Sequence, residues 1–231
     1  MSWTGDDRPP PGWMRLREVA HLLAHAPRQL GHLGPRGPDD GDPVLVIPGF
    51  IANDRTTMEL RRALAEAGYR VHGWGFGFNF GVRKDTLDKL EACLGRLEAE
   101  RPVLVVGWSL GGLYARELAR RCPDKVRAVV SLGSPISGDL HQNNVWRLYE
   151  LVAGHKIDRT PIPRITAKPP VPTLSIWSRQ DGIIAPRAAY GLDGERDRSV
   201  ELDTSHMGFA VSPRTARAVV REIDSFLKSA A

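Results

Sequence analysis

The stretch VLVVGWSLGGLYARELA, residues 103–119, decides how this chain folds. Val103–Val106 is apolar and rich in β-branched residues, the composition of a strand buried on both faces of a parallel sheet. From Leu110 to Arg121 the pattern changes: Leu110, Leu113, Tyr114 and Leu118 recur at helical spacing, and no proline intervenes before Pro123. Between the two lies Gly107-Trp108-Ser109-Leu110-Gly111, a G-x-S-x-G. Alone, that pattern is weak evidence, because ordinary residue usage produces it in roughly one chain in ten of this length. Set between a strand and a helix, it predicts a sharp turn that strains the serine backbone and lifts the hydroxyl above the sheet edge. The glycines are needed there because a side chain at either position would collide with the neighbouring strand or helix.

Working outward, Val44–Ile47 reads as a strand running into Pro48-Gly49-Phe50. Thr57–Ala67 follows as a helix closed by Gly68, then Tyr69–Gly73 as a strand and Thr86–Glu100 as a helix. Downstream, Val126–Leu132 is a strand leading into Gly133-Ser134-Pro135, Thr173–Trp177 and Ser199–Leu202 are the last strands, and Thr215–Lys228 is the closing helix. Asp139–Pro170 interrupts the alternation with one helix, Asn144–Ala153, and a proline-rich return, a short insertion in the place of a cap. Strands alternating with helices predict an α/β class, with a mostly parallel central sheet covered on both faces. Residues 1–42 form an N-terminal extension ahead of the main domain at 43–231. In it, Leu16, Val19, Ala20, Leu23 and Leu30 lie near helical spacing, with Arg15, Arg17 and Arg28 among them. Such a basic amphipathic helix is expected to cover a face of its own domain, weak contact with a membrane surface being the alternative.

Bulk properties narrow the function classes. A chain of 231 residues with 42% hydrophobic content can bury one sizeable core. No apolar run reaches bilayer-spanning length, and the start, MSWTGDDRPPPGW, lacks the apolar segment of a secretory signal. Only Cys93 and Cys122 are present, without CxxC or His-rich spacing, which argues against a disulfide framework or a metal site and makes a cytoplasmic location the default. The net charge of +5 comes from scattered arginines, with no Lys/Arg block and no interleaved aromatics, so nucleic acid is not an expected partner. Gly75–Gly81, GFGFNFG, lacks the G-x-G-x-x-G spacing and opens no helix, so no nucleotide cofactor is expected either. Oligomeric state is left open.

In a parallel α/β sheet, functional groups gather outside the carboxyl ends of the strands. Ser109, Asp181 and His206 each follow such an end, in the order serine, acid, histidine. A serine hydroxyl is a poor nucleophile unless an imidazole accepts its proton, and a carboxylate must fix the tautomer of that imidazole. Backbone donors must also hold the oxyanion, for which the N–H groups of Leu110 and Phe50 are placed. Asp203 and Asp139 remain alternative acids, while Asp54, Asp124 and Asp158 read as solvated or capping residues. Trp108, Ile136, Ile183 and Met207 flank the motif positions and are apolar, which favours a hydrophobic acyl group. Phe78 and its neighbours at alternate positions either edge that pocket or pack on the sheet.

The segments PGF at 48–50, GWSLGG at 107–112, SRQDGIIAP at 178–186 and SHMG at 205–208 resemble the α/β-hydrolase superfamily, more narrowly its small bacterial esterase/lipase-like members, over about residues 43–228. WGFGFNFG and LGSP at 132–135 are similar to the same group. The resemblance implies Ser109 as nucleophile, Asp181 as acid, His206 as base and the amides of Phe50 and Leu110 as the oxyanion hole. It implies a carboxylic-ester hydrolase acting on a small-molecule ester without a cofactor. One departure is Pro48, where many relatives carry histidine; this keeps the amide of residue 50 and removes a side chain that braces the loop. The same triad would also serve a thioesterase, amidase or acyltransferase. A cofactor-free lyase or a non-catalytic binding module is the further alternative.

Overall fold

A computed structural model of the chain describes residues 9–14, 16, 18, 20, 37–97, 101–141 and 143–230. Most of the expected N-terminal helix therefore lies outside the described residues. The sheet has six strands: β1 (Pro43–Ile47), β2 (Arg70–Gly73), β3 (Val103–Trp108), β4 (Val126–Leu132), β5 (Thr173–Trp177) and β6 (Arg198–Glu201). They are ordered β2-β1-β3-β4-β5-β6, and every neighbouring pair is parallel. The helices are α1 (Met58–Glu66), α2 (Thr86–Leu97), α3 (Leu110–Arg121), α4 (Trp146–Ala153), α5 (Pro186–Tyr190), α6 (Gly208–Val211) and α7 (Pro213–Ser229).

Alternation along the strands sends successive side chains to opposite faces. Val44, Val46, Leu104 and Val106 pack with α1 and with the stripe Ala216, Val219, Val220, Ile223, Phe226 and Leu227 of α7. Leu45, Ile47, Val103 and Val105 pack on the other face with Leu90 and Leu94 of α2 and Tyr114 and Leu118 of α3. β1 and β3 are buried along their whole lengths, which is why both read as unbroken apolar runs rather than alternating ones. α7 begins two residues before the expected start because Ser212 accepts the Thr215 amide at 3.3 Å and Pro213 occupies the first turn. The helices α5 and α6, of five and four residues, are too short to leave a periodic signal in the sequence.

The winding positions the site. From β1 the chain turns to one side to make β2, then returns to the other side of β1 to make β3. This reversal opens a crevice between the carboxyl ends of β1 and β3. Ile47 lies in register with Gly107, so Pro48–Phe50 and Trp108-Ser109 emerge together into it. At the N-terminus, Trp13, Met14, Leu16, Glu18 and Ala20 are helical. Trp13 and Leu16 are 60% and 75% exposed, whereas Glu18 is buried at 4%, so the domain-facing side here carries a carboxylate rather than Leu16. Among the described residues, no helix is long and apolar enough to cross a membrane.

Candidate active site

β3 delivers Ser109 into the crevice in a conformation that few side-chain-bearing residues adopt, φ +55° and ψ −120°. Such a conformation costs about 1–3 kcal/mol and persists only where the surroundings hold it. Here the Ser109 amide donates to the Leu132 carbonyl at 2.8 Å and α3 starts at the next residue. The flanking glycines are required by contact. A Cβ at Gly107 would lie 2.2 Å from the Gly111 carbonyl oxygen, and one at Gly111 would lie 2.2 Å from that of Ile47. The strand, the turn and the first turn of α3 thus occupy the space that side chains would need.

The β1 loop approaches from the other wall, with Gly49 directly against Ser109. Ile51 sits at φ +52°, and a neighbouring loop holds it there: its amide donates to the Asn79 carbonyl at 2.7 Å. The Asn79 side chain, 1% exposed, donates to the Pro48 carbonyl at 2.9 Å, and its amide donates to the Ala52 carbonyl at 2.8 Å. Asn79 therefore braces the loop where Pro48 leaves no side chain to do so. From the sequence Asn79 is expected only to bond within its own loop, as its Oδ1 does in accepting the Gly81 amide at 3.3 Å; nothing in GFGFNFG shows that it also meets the Pro48 loop. Among the described residues, the Phe50 and Leu110 amides donate to no backbone carbonyl and remain available at the crevice.

Asp181 and His206 come from the loops after β5 and β6. Oδ2 of Asp181 contacts Nδ1 of His206 at 2.7 Å, and both residues are buried. Oδ1 of Asp181 accepts the amides of Ile183 and Ile184, each at 2.8 Å, which fixes the carboxylate plane. Burial disfavours charging the imidazole, but the charge and hydrogen bond of Asp181, with the Glu18 charge behind them, outweigh it. The imidazole pKa therefore stands above its ordinary 6.5. Trp108, the residue before Ser109, lays its indole 5.4 Å from the His206 ring and donates from Nε1 to the His206 carbonyl at 3.1 Å. The Ser109 turn and the His206 loop are in this way joined. The alternative acids are engaged elsewhere: Asp139 is an exposed partner of His141 at 2.9 Å, and Asp203 accepts from Gln180.

An apolar cavity of about 80 Å³ opens on Ser109 and Leu110. Phe50, Leu113, Tyr114, Tyr149 and Ile162 form much of its wall, so the insertion at 139–170 roofs the site with α4 and the proline-rich return. The Tyr149 ring lies tilted against Phe50, centroids 5.1 Å apart, and its hydroxyl accepts the Val82 amide at 3.1 Å. The five apolar residues singled out from the sequence lie outside this lining. Trp108 and Met207 pack on the opposite face of the sheet, and Ile183 packs with the group around Trp177 and Ala188. Ile136 is buried against Gly191, and Phe78 stands 52% exposed, stacked on Phe80. The reason is geometric: neighbours of a motif residue point to alternate sides, and only one side faces the cavity. Ile184, one residue past Ile183, does line it. Among the described residues, no group of three or more His, Cys, Asp or Glu is placed to hold a metal ion.

Comparison with known proteins bears on this geometry. Residues 42–160 match the family model of the alpha/beta hydrolase fold, a stretch that holds Phe50, Ser109 and Leu110 and stops before Asp181 and His206. Over 109 residues the chain is 33% identical to the pimeloyl-(acyl-carrier protein) methyl ester esterase of Shewanella woodyi, covering 46% of this chain and 41% of that relative. The chain thus spans under half the length of the curated relatives it matches. A solved alpha/beta hydrolase from the sediment metagenome of the Mar Chica lagoon superposes with a TM-score of 0.62 at 20% identity, over 82% of this chain and 92% of that one. The naproxen esterase of Bacillus subtilis superposes with 0.55 at 14% identity, over 94% and 100% of the respective chains. At such identities the superpositions speak to the fold. Taken with the family model, which spans just over half of the sequence, they leave one conclusion: the chain belongs to the alpha/beta hydrolase family.

Proposed function

We propose that this chain is a serine hydrolase that cleaves carboxylic esters of an apolar acyl group through an acyl-enzyme. The observation that carries the reading is the 2.7 Å Asp181–His206 contact on the same sheet edge as the strained Ser109 turn. In this reading Ser109 Oγ attacks the ester carbonyl carbon while the imidazole takes the hydroxyl proton. The oxyanion forms against the amides of Phe50 and Leu110, one at a helix N-terminus and one on the braced β1 loop. Collapse of the tetrahedral adduct breaks the bond to the alcohol, which leaves with the proton from the imidazolium. Water, deprotonated by the same imidazole, then attacks the acyl-enzyme, and the carboxylic acid and Ser109 are released. Asp181 keeps the proton on Nδ1, so that Nε2 serves as the base, and stabilises the imidazolium.

The size and apolar walls of the cavity support a short acyl chain. The methyl ester named for the Shewanella woodyi relative supports a small alcohol on the leaving side. The test is an ester panel of increasing acyl length, run on the wild type beside Ser109→Ala. We expect turnover of short-chain esters and a loss of kcat of about a thousand-fold or more in the variant, on the scale that triad removal costs elsewhere. Folded wild-type protein that resists covalent labelling by a fluorophosphonate would sink the reading.

A further inference from the structure

Glu18 lies well ahead of the family match and comes from the helical N-terminal segment, yet its carboxylate is buried beside the acid–base pair. Oε1 accepts the amides of Gly182 and His206, and Oε2 accepts that of Met207, all three at 2.8 Å. Gly182 follows Asp181 directly, so one carboxylate holds both the loop that carries the acid and the loop that carries the histidine. A buried carboxylate without partners is strongly disfavoured, and three charge-assisted bonds to backbone amides are what make its burial tolerable. The segment is tied down a second time: Asn144 Nδ2 donates to the carbonyls of Pro10 and Gly182, both at 2.9 Å. A Cβ at Gly182 would lie 2.8 Å from the Met14 carbonyl oxygen, so the segment occupies space that a side chain would otherwise fill.

We propose that Glu18 is a positioning residue of this site, setting the spacing between Asp181 and His206 from the N-terminal segment. The inference rests on the reading of His206 as general base. Without the carboxylate, three amides lose their acceptor, and the two loops are left with the Asp181–His206 contact itself, the Gln180–Asp203 bond and the Ser178 bridge, whose hydroxyl donates to the Thr204 carbonyl at 2.6 Å and accepts the Gln180 amide at 3.0 Å. Small displacements of a catalytic base are costly, because proton transfer demands hydrogen-bond reach in the reacting geometry. Glu18 also acts by its charge. The charged groups that act on the imidazole are Asp181 and Glu18, while the indole of Trp108 covers another side.

The test compares Glu18→Gln and Glu18→Ala with the wild type in ester hydrolysis, with kcat and KM resolved across pH and unfolding followed in parallel. We expect kcat to fall by about 10- to 100-fold in Glu18→Ala, the usual effect of removing a group that orients a reacting side chain, with KM within about three-fold. In Glu18→Gln the shape is kept and the charge removed, so we expect a smaller loss of kcat. The acid limb of its profile moves to lower pH, and so does the His206 titration followed by NMR, which needs no turnover. Folded variants with wild-type kcat and an unmoved His206 titration overturn the proposal. Should Glu18→Ala not fold, Glu18→Gln decides by the same two measurements. Activity that survives Ser109→Ala would instead overturn the reading of the site, whatever the Glu18 variants do.

Discussion

The two halves of the site are held by different means. The proposed nucleophile half lies on β1 and β3, neighbouring strands in register, and its geometry is set by backbone packed on backbone at Gly107, Gly111 and Ile47. The proposed acid–base half lies past β5 and β6, at one end of the sheet, and is held by side chains: the Asp181 carboxylate on its own loop, Ser178 between loops, and Glu18 from the N-terminal segment. The first half has no room for added volume and little need of polar side chains. The second depends on charges and acceptors. A change in the first should therefore register as lost stability, and a change in the second as lost turnover in a protein that still folds.

That contrast can be broken at several points. Asp181→Asn is expected to have the largest effect, a fall in kcat of about a thousand- to ten-thousand-fold with the fold retained, because the amide favours the wrong tautomer of His206. Steady-state kinetics beside a thermal melt would show it. Gly111→Ala tests the other half: its new methyl meets the Ile47 carbonyl, and we expect about 2–4 kcal/mol of destabilisation in denaturant unfolding. If that variant instead melts like the wild type, the backbone-packing account of the nucleophile half is wrong. Asn79→Ala sits between the halves, since a side chain here holds a backbone donor. It should lower kcat by about 10- to 100-fold and stability by about 1–3 kcal/mol, as the Pro48 carbonyl loses its donor.

The smallest effect is one of pH. In the proposed mechanism His206 must be neutral to act as base, and its pKa is raised, so kcat/KM should fall as pH drops through a midpoint above 6.5. The same shift makes protonation of His206 favour the folded state. Its contribution to stability is fully present below pH 6.5 and is lost as pH rises through the higher folded value. A midpoint at or below 6.5 would show that burial outweighs the two carboxylates.

Much of this was legible in the sequence for an identifiable reason. The sheet, the order of its strands and helices, and the strained turn at Ser109 follow from patterns that span a few residues: unbroken apolar runs, helical spacing, and glycines around a serine. β4 and β5 fall where their composition places them, at Val126–Leu132 and Thr173–Trp177. The candidate acid and base were found by a rule of position, that such groups follow strand ends, and the structure brings the two into contact. The pocket was not legible. Trp108, Ile136, Ile183, Met207 and Phe78 are apolar and near the motif, yet which side of the sheet each faces depends on how the turns leave the strands.

What the sequence by itself determined is the class of the fold, and it nominated three residues on which the proposed mechanism is hung, because local periodicity and turn chemistry act between near neighbours. Only the tertiary structure decided which side chains brace those three. The Glu18 contacts to Gly182 and His206 span 164 and 188 positions. A buried carboxylate is tolerated only where folding brings enough amide donors to it, and no short stretch of sequence carries that information.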